Sequence, residues 1–346
     1  MARFMISRGK VIEHYNIAKD MSDMVSFSSK TNPDVARILH ENTDSLFSIH
    51  MRNEFKHIKD LSRVLFLAQG WDEEAIDDML KKGIKRFVVD NKKDLLTLQN
   101  FMENHDRKEK IDLLLRTKLK ENSIHTERYY VFGMDSETVN ESVGILKSRE
   151  WIKNLGIHFH RKTQNMAEWN LQYELEQMFP EETFKEISIM NIGGGLPSIY
   201  ANTNEKVFSG IMKRLKETKD WLNSKRVKMM IEPGRFIAAP SAKLMTKIIS
   251  IHDNTIIVDA SVYNSDMDAI LVPVKLLVQG EKDKSDKTAK PYSLKGITPC
   301  SMDLFRYRVY LTNPKEGDEL IFLNAGAYNF ASDFCDLKKL ESEIID

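Results

Sequence analysis

Eight short apolar runs alternate with charged segments of helical spacing, and this alternation constrains the chain more than any other feature. The runs occupy residues 24–28, 45–49, 63–67, 86–90, 111–115, 155–160, 187–192 and 228–231. They are rich in Val, Ile, Leu and Phe and end in polar or turn residues, as strands buried on both faces of a parallel sheet do. The clearest helical segments between them are 33–41, 72–82, 93–104, 136–154, 169–179 and 206–223. Strand and helix alternating in this way predict an α/β fold, a TIM-like (β/α)8 barrel over residues 1–240.

Beyond that point the texture changes. Runs at 243–251, 255–259, 291–294, 308–311 and 319–323 read as strands with few helices between them. Residues 241–346 are therefore expected to form a mostly-β domain, a sandwich or barrel, which the first few residues of the chain can join. The stretch 281–290, EKDKSDKTAK, reads as a solvated loop. A length of 346 residues suits one large domain and a smaller one, and 42% hydrophobic residues can build a core. Lys and Arg total 51, as do Asp and Glu, and this balance argues against electrostatic nucleic-acid binding. Two cysteines, Cys300 and Cys335, are too few for a disulfide framework. With no apolar leader and no long uncharged run, a cytoplasmic protein without membrane contact is expected.

Active sites of such barrels lie at the C-terminal ends of the strands. The residues that end the runs there are Lys30 in FSSKTNP, Arg116 in LLLRTKL and His158 and His160 in GIHFHRKTQ, followed by the glycines of NIGGGLP and Glu232 and Arg235 of EPGR. Gly193, Gly194 and Gly195 offer backbone N–H groups unobstructed by side chains, suited to an anion such as phosphate. Arg235 adds a positive fork for the same group. A lysine beside a phosphate site suits an imine with a phosphorylated aldehyde cofactor, and a carboxylate at Glu232 can keep a pyridine nitrogen protonated.

FSSKTNP, GIHFHRKTQ, NIGGGLP, EPGR, TPCSMD and GAYNF stand in an order that resembles the PLP-dependent ornithine/arginine/diaminopimelate decarboxylases of the alanine racemase-like fold. The resemblance implies pyridoxal 5′-phosphate as cofactor and an amino acid as substrate, released as CO2 and an amine of the kind used in polyamine synthesis. It implies Lys30 as the imine-forming lysine, His160 stacked on the cofactor ring and Glu232 on the pyridine nitrogen. Gly193, Gly194, Gly195, Arg235 and Tyr328 match the phosphate cradle, and Glu54 and Arg116 match positions near the cofactor. Cys300 resembles a cysteine that reaches in from the partner of a head-to-tail homodimer and helps protonate the carbanion.

Some residues depart from that pattern. Asn191 stands where the family usually has Asp, and GITPCSMD replaces the usual Gly-Pro-x-Cys followed by an acidic residue. Val272 and Ser301 stand where diaminopimelate enzymes place groups for a distal carboxylate. Asp259, Asp266, Asp268 and Asp303 fall in the two segments where ornithine enzymes carry aspartates, so an acidic pocket for a cationic distal amine or guanidine is the preferred expectation. DASVYNSDMDAILVP also resembles the corresponding segment of carboxynorspermidine decarboxylases. Rival readings are a racemase on the same fold, a non-catalytic paralogue, and a barrel hydrolase whose His158 and His160 hold zinc.

Overall fold

The computed structural model describes residues 1–105, 109–119, 132–329 and 331–346. Phe330, the last residue of GAYNF, lies outside them. The chain opens with strand β1 (Arg3–Ser7) and the helix Arg8–Met21. It then enters the barrel, formed by β2 (Met24–Ser28), β3 (Leu46–Ile49), β4 (Val64–Ala68), β5 (Arg86–Val89), β6 (Ile111–Arg116), β7 (Ile152–His158), β8 (Ile189–Asn191) and β9 (Lys228–Ile231). These eight are parallel neighbours in chain order, and β9 closes on β2.

Side-chain alternation explains why the strands read as continuous apolar runs. Leu65, Val88, Leu114, Ile189 and Met230 point inward and form a buried cluster of their own, with Leu67 packed against it. Their neighbours Phe66, Phe87, Val89, Leu113 and Leu115 belong to the larger core shared with the helices. Both faces are dry, so apolar side chains dominate them, and polar ones there find partners, as Ser26 and Ser48 do with each other at 2.8 Å. The helices start where polar side chains satisfy free N–H groups: Asn32, Asp72, Asn91 and Asp135 each accept from the first turn that follows.

The second sheet holds β10 (Ala242–His252), β11 (Thr255–Val258), β12 (Leu277–Val278), β13 (Lys290–Lys295), β14 (Leu304–Leu311), β15 (Glu319–Leu323) and β16 (Glu341–Ile345), in the path β12-β15-β10-β11-β13-β14. Strand β10 organises it: the end near Ala242 pairs with β15 and β1, and from Ile248 on the other end pairs with β11, with a bulge between Ile248 and Ser250. The chain's first strand is thus built into the C-terminal sheet, where β16 lies parallel to it.

Three elements differ from the sequence expectation. The helix Arg8–Met21 buries only Val11, Tyr15, Ala18 and Met21, a stripe diluted by charge. Strand β16 is largely exposed and carries no apolar alternation to betray it. Strand β7 ends at His158, so His160 lies in the loop beyond it rather than on the strand. No helix among the described residues is long and apolar enough to cross a membrane.

Candidate active site

A cavity of about 350 Å³ opens over the inward-facing cluster at the C-terminal ends of the barrel strands, with Leu67 touching both. Its wall includes Lys30, His50, Arg116, His158, His160, Gly194, Gly195, Glu232, Arg235 and Tyr328. Lys30 sits on the short 3-10 turn Ser29–Thr31, directly after β2. The next two residues explain the placement. Asn32 caps the following helix by accepting from the N–H groups of Asp34 and Val35, and Pro33 occupies the first helical turn, where a missing N–H costs nothing. The Asn32 amide also donates to the carbonyl of Gly326 at 2.8 Å, and the Tyr328 N–H donates to the carbonyl of Thr31 at 3.0 Å. Lys30 and Tyr328 are therefore held together although nearly the whole chain separates them.

Glu232, only 3% exposed, is the buried anion of the site. Asn191 donates to its Oε1 at 2.8 Å, and His158 Nε2 lies 3.5 Å from its Oε2. Burial alone would raise its pKa, but the imidazole of His158 beside it and the amide of Asn191 hold the carboxylate well below its ordinary range. Asn191 has a second duty, since its Oδ1 accepts from the Gly193 N–H at 2.9 Å. A carboxylate at position 191 could make that bond but could not donate to Glu232, so the departure noted in the sequence has a local physical consequence.

The glycine turn packs against its neighbours too closely for any side chain. Gly193 has φ +69°, and a Cβ there would lie 2.3 Å from the carbonyl oxygen of Phe159. Gly195 has φ +97°, and its Cβ would lie 2.7 Å from the carbonyl oxygen of Lys162. The N–H groups are less free than the sequence suggests, because that of Gly193 goes to Asn191 and that of Gly194 to His160 Nδ1 at 3.1 Å. The latter bond requires Nδ1 to be unprotonated, which places the ring proton on Nε2. Withdrawal from bulk water pushes both His160 and His50 down to about 3, so both rings are neutral near pH 7. Burial also lowers Lys30 below the usual lysine range, against the opposing pull of Glu232 and Glu54, and a larger share of its amine is nucleophilic.

Arg235 is placed differently from the sequence expectation of a fork left open for phosphate. Its guanidinium is gripped by the buried Asp268, donates to the Tyr200 hydroxyl at 2.9 Å and to Thr163 at 3.3 Å, and lies 5.1 Å from the centre of the Tyr328 ring. Its charge is largely neutralised before any ligand arrives. Arg116 is likewise paired, with Asp90 at 3.2 Å. Glu54 accepts from the N–H groups of His50 and Met51 through Oε1, and its Oε2 is buried without a partner.

The acidic pocket expected from Asp259, Asp266 and Asp303 is not built in this cavity, and none of the three is on its wall. Asp303 is fully buried and accepts from the N–H groups of Val262 and Thr298 and from the Thr298 hydroxyl. Asp259 accepts from the N–H of Lys247 in the C-terminal sheet. Asp266 is buried beside Asp268, and burial raises its pKa well above the ordinary value. Asp259 and Asp303 are thus engaged by backbone N–H groups within the β domain, whereas one oxygen of the buried Asp266 has no partner. Cys300 is also off this wall; it is half-buried, and its Sγ lies 3.1 Å from the Tyr263 hydroxyl, whose hydrogen bond lowers the thiol pKa.

Several residues on or beside the wall were not given roles by sequence reasoning: Ser28, His50, Asp90, Thr163, Asn191, Tyr200 and Asp268 as the partner of Arg235. His50, just past the apolar run 45–49, Asn191, before the glycines, and Asp268, among the aspartates of DASVYNSDMD, carried a signal in the sequence, though Asp268 was expected to face substrate rather than Arg235. The cavity suits a phosphorylated pyridine aldehyde. It has a nucleophilic lysine, an ionised carboxylate and a glycine turn on one rim, and His50 Nδ1 on its wall is buried without a partner.

The chain is similar to known proteins. The family model of the pyridoxal-dependent decarboxylase pyridoxal-binding domain matches residues 8–239. A probable ornithine decarboxylase of Dictyostelium discoideum is 22% identical over 340 residues, covering 88% of this chain and 70% of that protein. A diaminopimelate decarboxylase of Aquifex aeolicus is 22% identical over 285 residues, covering 78% of this chain and 66% of that one. Among solved structures, a lysine/ornithine decarboxylase of Vibrio vulnificus complexed with putrescine superposes with a TM-score of 0.79 at 19% identity, covering 100% of this chain and 94% of that one. A diaminopimelate decarboxylase of Helicobacter pylori complexed with L-lysine has a TM-score of 0.79 at 18% identity, with 100% and 92% covered. With more than half of its length matched by the family model, the chain belongs to the pyridoxal-dependent decarboxylases, and pyridoxal 5′-phosphate is its cofactor.

Proposed function

We propose that the chain removes the α-carboxylate of an amino acid as CO2, with Lys30, His160 and Glu232 as the groups that touch the cofactor and Cys300 as proton donor. The observation that carries this reading is Glu232, an anion held ionised inside the cavity by His158 and Asn191. Bound there, pyridoxal phosphate supplies an aromatic ring that accepts the electron pair left on Cα as CO2 departs.

The chain's own residues do the rest. Glu232, as a buried carboxylate, would hold a proton on the pyridine nitrogen, so the positive charge that draws electrons would be in place before the reaction begins. His160, locked by the Gly194 N–H, presents a neutral flat ring to the cavity. Lys30, with its pKa lowered, is a nucleophile when the cofactor binds and a proton carrier when product leaves. Gly194, Gly195, Arg235 and Tyr328 form the end of the cavity suited to the phosphate, with Arg235 acting together with the Asp268 that holds it.

Cys300 lies in the C-terminal sheet region and off its own chain's cavity, so it serves a site only from a second copy. This supports a head-to-tail homodimer with shared active sites. The Tyr263 hydrogen bond lowers its pKa towards the range useful for passing a proton to carbon.

The test is optical and chemical. Purified protein given pyridoxal phosphate should show a visible absorbance band that Lys30→Ala abolishes. A CO2-release screen over ornithine, lysine, arginine, diaminopimelate and carboxynorspermidine then finds the substrate. A protein that shows no band with added cofactor is not this enzyme.

A further inference from the structure

A second chamber of about 520 Å³ lies beside the first, and Lys30 is part of the wall of both. It sits between the helix Pro33–Asn42, the turn that follows Glu54 and the last strand of the β domain. Its remaining charged wall is basic: Arg37, Lys56, His57, Lys59 and Lys339. The two carboxylates present, Asp34 and Glu41, are already paired, with Arg37 at 3.1 Å and with Lys59 at 3.3 Å. Lys56 and Lys339 have no ion-pair partner among the described residues, and both face His57, whose pKa is lowered by burial first and then by these two ammonium groups.

Among the described residues, the carboxylates on the wall of the first cavity are already engaged, and Glu54, whose Oε2 has no partner, is on neither wall and acts on Lys30. Asp90 is bound to Arg116, and Glu232 to Asn191 and His158. Asp268 holds Arg235, and Asp303 holds the N–H groups of Val262 and Thr298. A substrate that reacts at Lys30 and extends into the second chamber therefore meets uncompensated positive charge. A distal ammonium or guanidinium would be repelled there, whereas a distal carboxylate or phosphate would gain charge-assisted hydrogen bonds.

We infer that the chamber beside Lys30 binds the distal end of the amino-acid substrate and that this end is anionic. The inference rests on the decarboxylase reading of the barrel cavity and narrows its substrate class. Lys56 and Lys339 are the residues that select it. Opposite charge at a partly solvated site is worth roughly tenfold in affinity or more.

The experiment uses the holoenzyme and follows perturbation of its visible band together with calorimetric binding. L-2-aminoadipate and O-phospho-L-homoserine are compared with L-ornithine and L-lysine. The anionic pair should bind at least about tenfold more tightly. Reversing both charges, Lys56→Glu with Lys339→Glu, should remove or invert that preference while the band without amino acid stays unchanged. Inorganic phosphate alone should compete with the anionic amino acids. Tighter binding of L-ornithine or L-lysine overturns the inference, as does a preference unmoved by charge reversal. Activation of L-lysine turnover by phosphate overturns it too, because the chamber would then serve a separate effector. Failure of the decarboxylase reading is seen earlier and separately, as the absence of any band when pyridoxal phosphate is added.

Discussion

At the scale of single residues, Glu232 and Arg235 illustrate how neighbours reassign a motif. Three positions apart in EPGR, they look in sequence like two ligand groups. In the fold, Glu232 is tuned by His158 and Asn191, whereas Arg235 is the partner of a buried carboxylate. Their variants should fail differently. Glu232→Gln keeps the shape and loses the charge, and is expected to lower kcat by about 100-fold with little change in cofactor affinity. Arg235→Ala leaves Asp268 buried and unpaired, which is expected to cost about 3–5 kcal/mol of stability, part of it restored in Arg235→Ala with Asp268→Ala. Denaturant unfolding beside steady-state kinetics separates the two. Equal losses of activity and stability in both variants would contradict this division.

His50 makes a prediction about pH. Burial, aided by the charge of Lys30, pushes it down to about 3, whereas a histidine in the unfolded chain titrates near 6.5. Between those values the unfolded state binds the extra proton, so the chain loses stability as the pH falls from about 6.5 towards 3. Thermal unfolding from pH 7 down to 4.5 should show this slope, and His50→Gln should make it shallower, His160 still supplying its share. Parallel curves for the two proteins would remove His50 from the account.

At the scale of elements, the short FSSKTNP segment does more than carry a lysine. Asn32 is a helix cap whose amide also bonds the carbonyl of Gly326, so a single side chain sets the helix start and docks the segment that bears Tyr328. Asn32→Ala should cost about 1–2 kcal/mol as a lost cap. It should also weaken cofactor retention, measured by equilibrium dialysis, because Tyr328 loses its anchor. Asn32→Asp keeps the cap acceptor but not the amide donor, and should recover stability more than retention. Equal recovery of both would detach the Gly326 bond from the site.

Local pattern made most of the barrel legible at this scale. Runs such as Phe66–Leu67 and Leu113–Leu115 are apolar at every residue because one set fills the barrel and the other meets the helices. What stayed hidden were elements whose burial is supplied by distant chain. Strand β16 has an almost polar sequence and exists because β1 offers it an edge. The helix Arg8–Met21 was passed over because its buried stripe is only four residues among many charges.

At the scale of the whole molecule, the site is completed by parts far apart. Thr31 and Tyr328 share a backbone hydrogen bond, and strand β1 is built into the terminal sheet. The shared-site reading of the dimer adds a prediction. Neither Lys30→Ala nor Cys300→Ala homodimers should turn over well, yet mixing the two variants after dissociation should restore roughly a quarter of the activity in pairs with one intact site. Activity that stays at the single-variant level after mixing would show that Cys300 serves no site across an interface.

Sequence alone determined the class of architecture and the identity of the chemical groups. Eight buried runs alternating with helices leave few closed solutions, and a lysine, a glycine turn and EPGR at successive strand ends name the chemistry. Local periodicity and backbone restriction act over a few residues, and both can be read from the chain. Tertiary structure decided which charges were left free. Asp268 neutralises Arg235, Asp303 is spent on backbone N–H groups, and Lys56 and Lys339 line a chamber whose two described carboxylates, Asp34 and Glu41, are already paired. Pairing of charges depends on distances between residues remote in sequence, and electrostatic energy follows those distances and the burial around them. Which amino acid the enzyme accepts is therefore a property of the folded site.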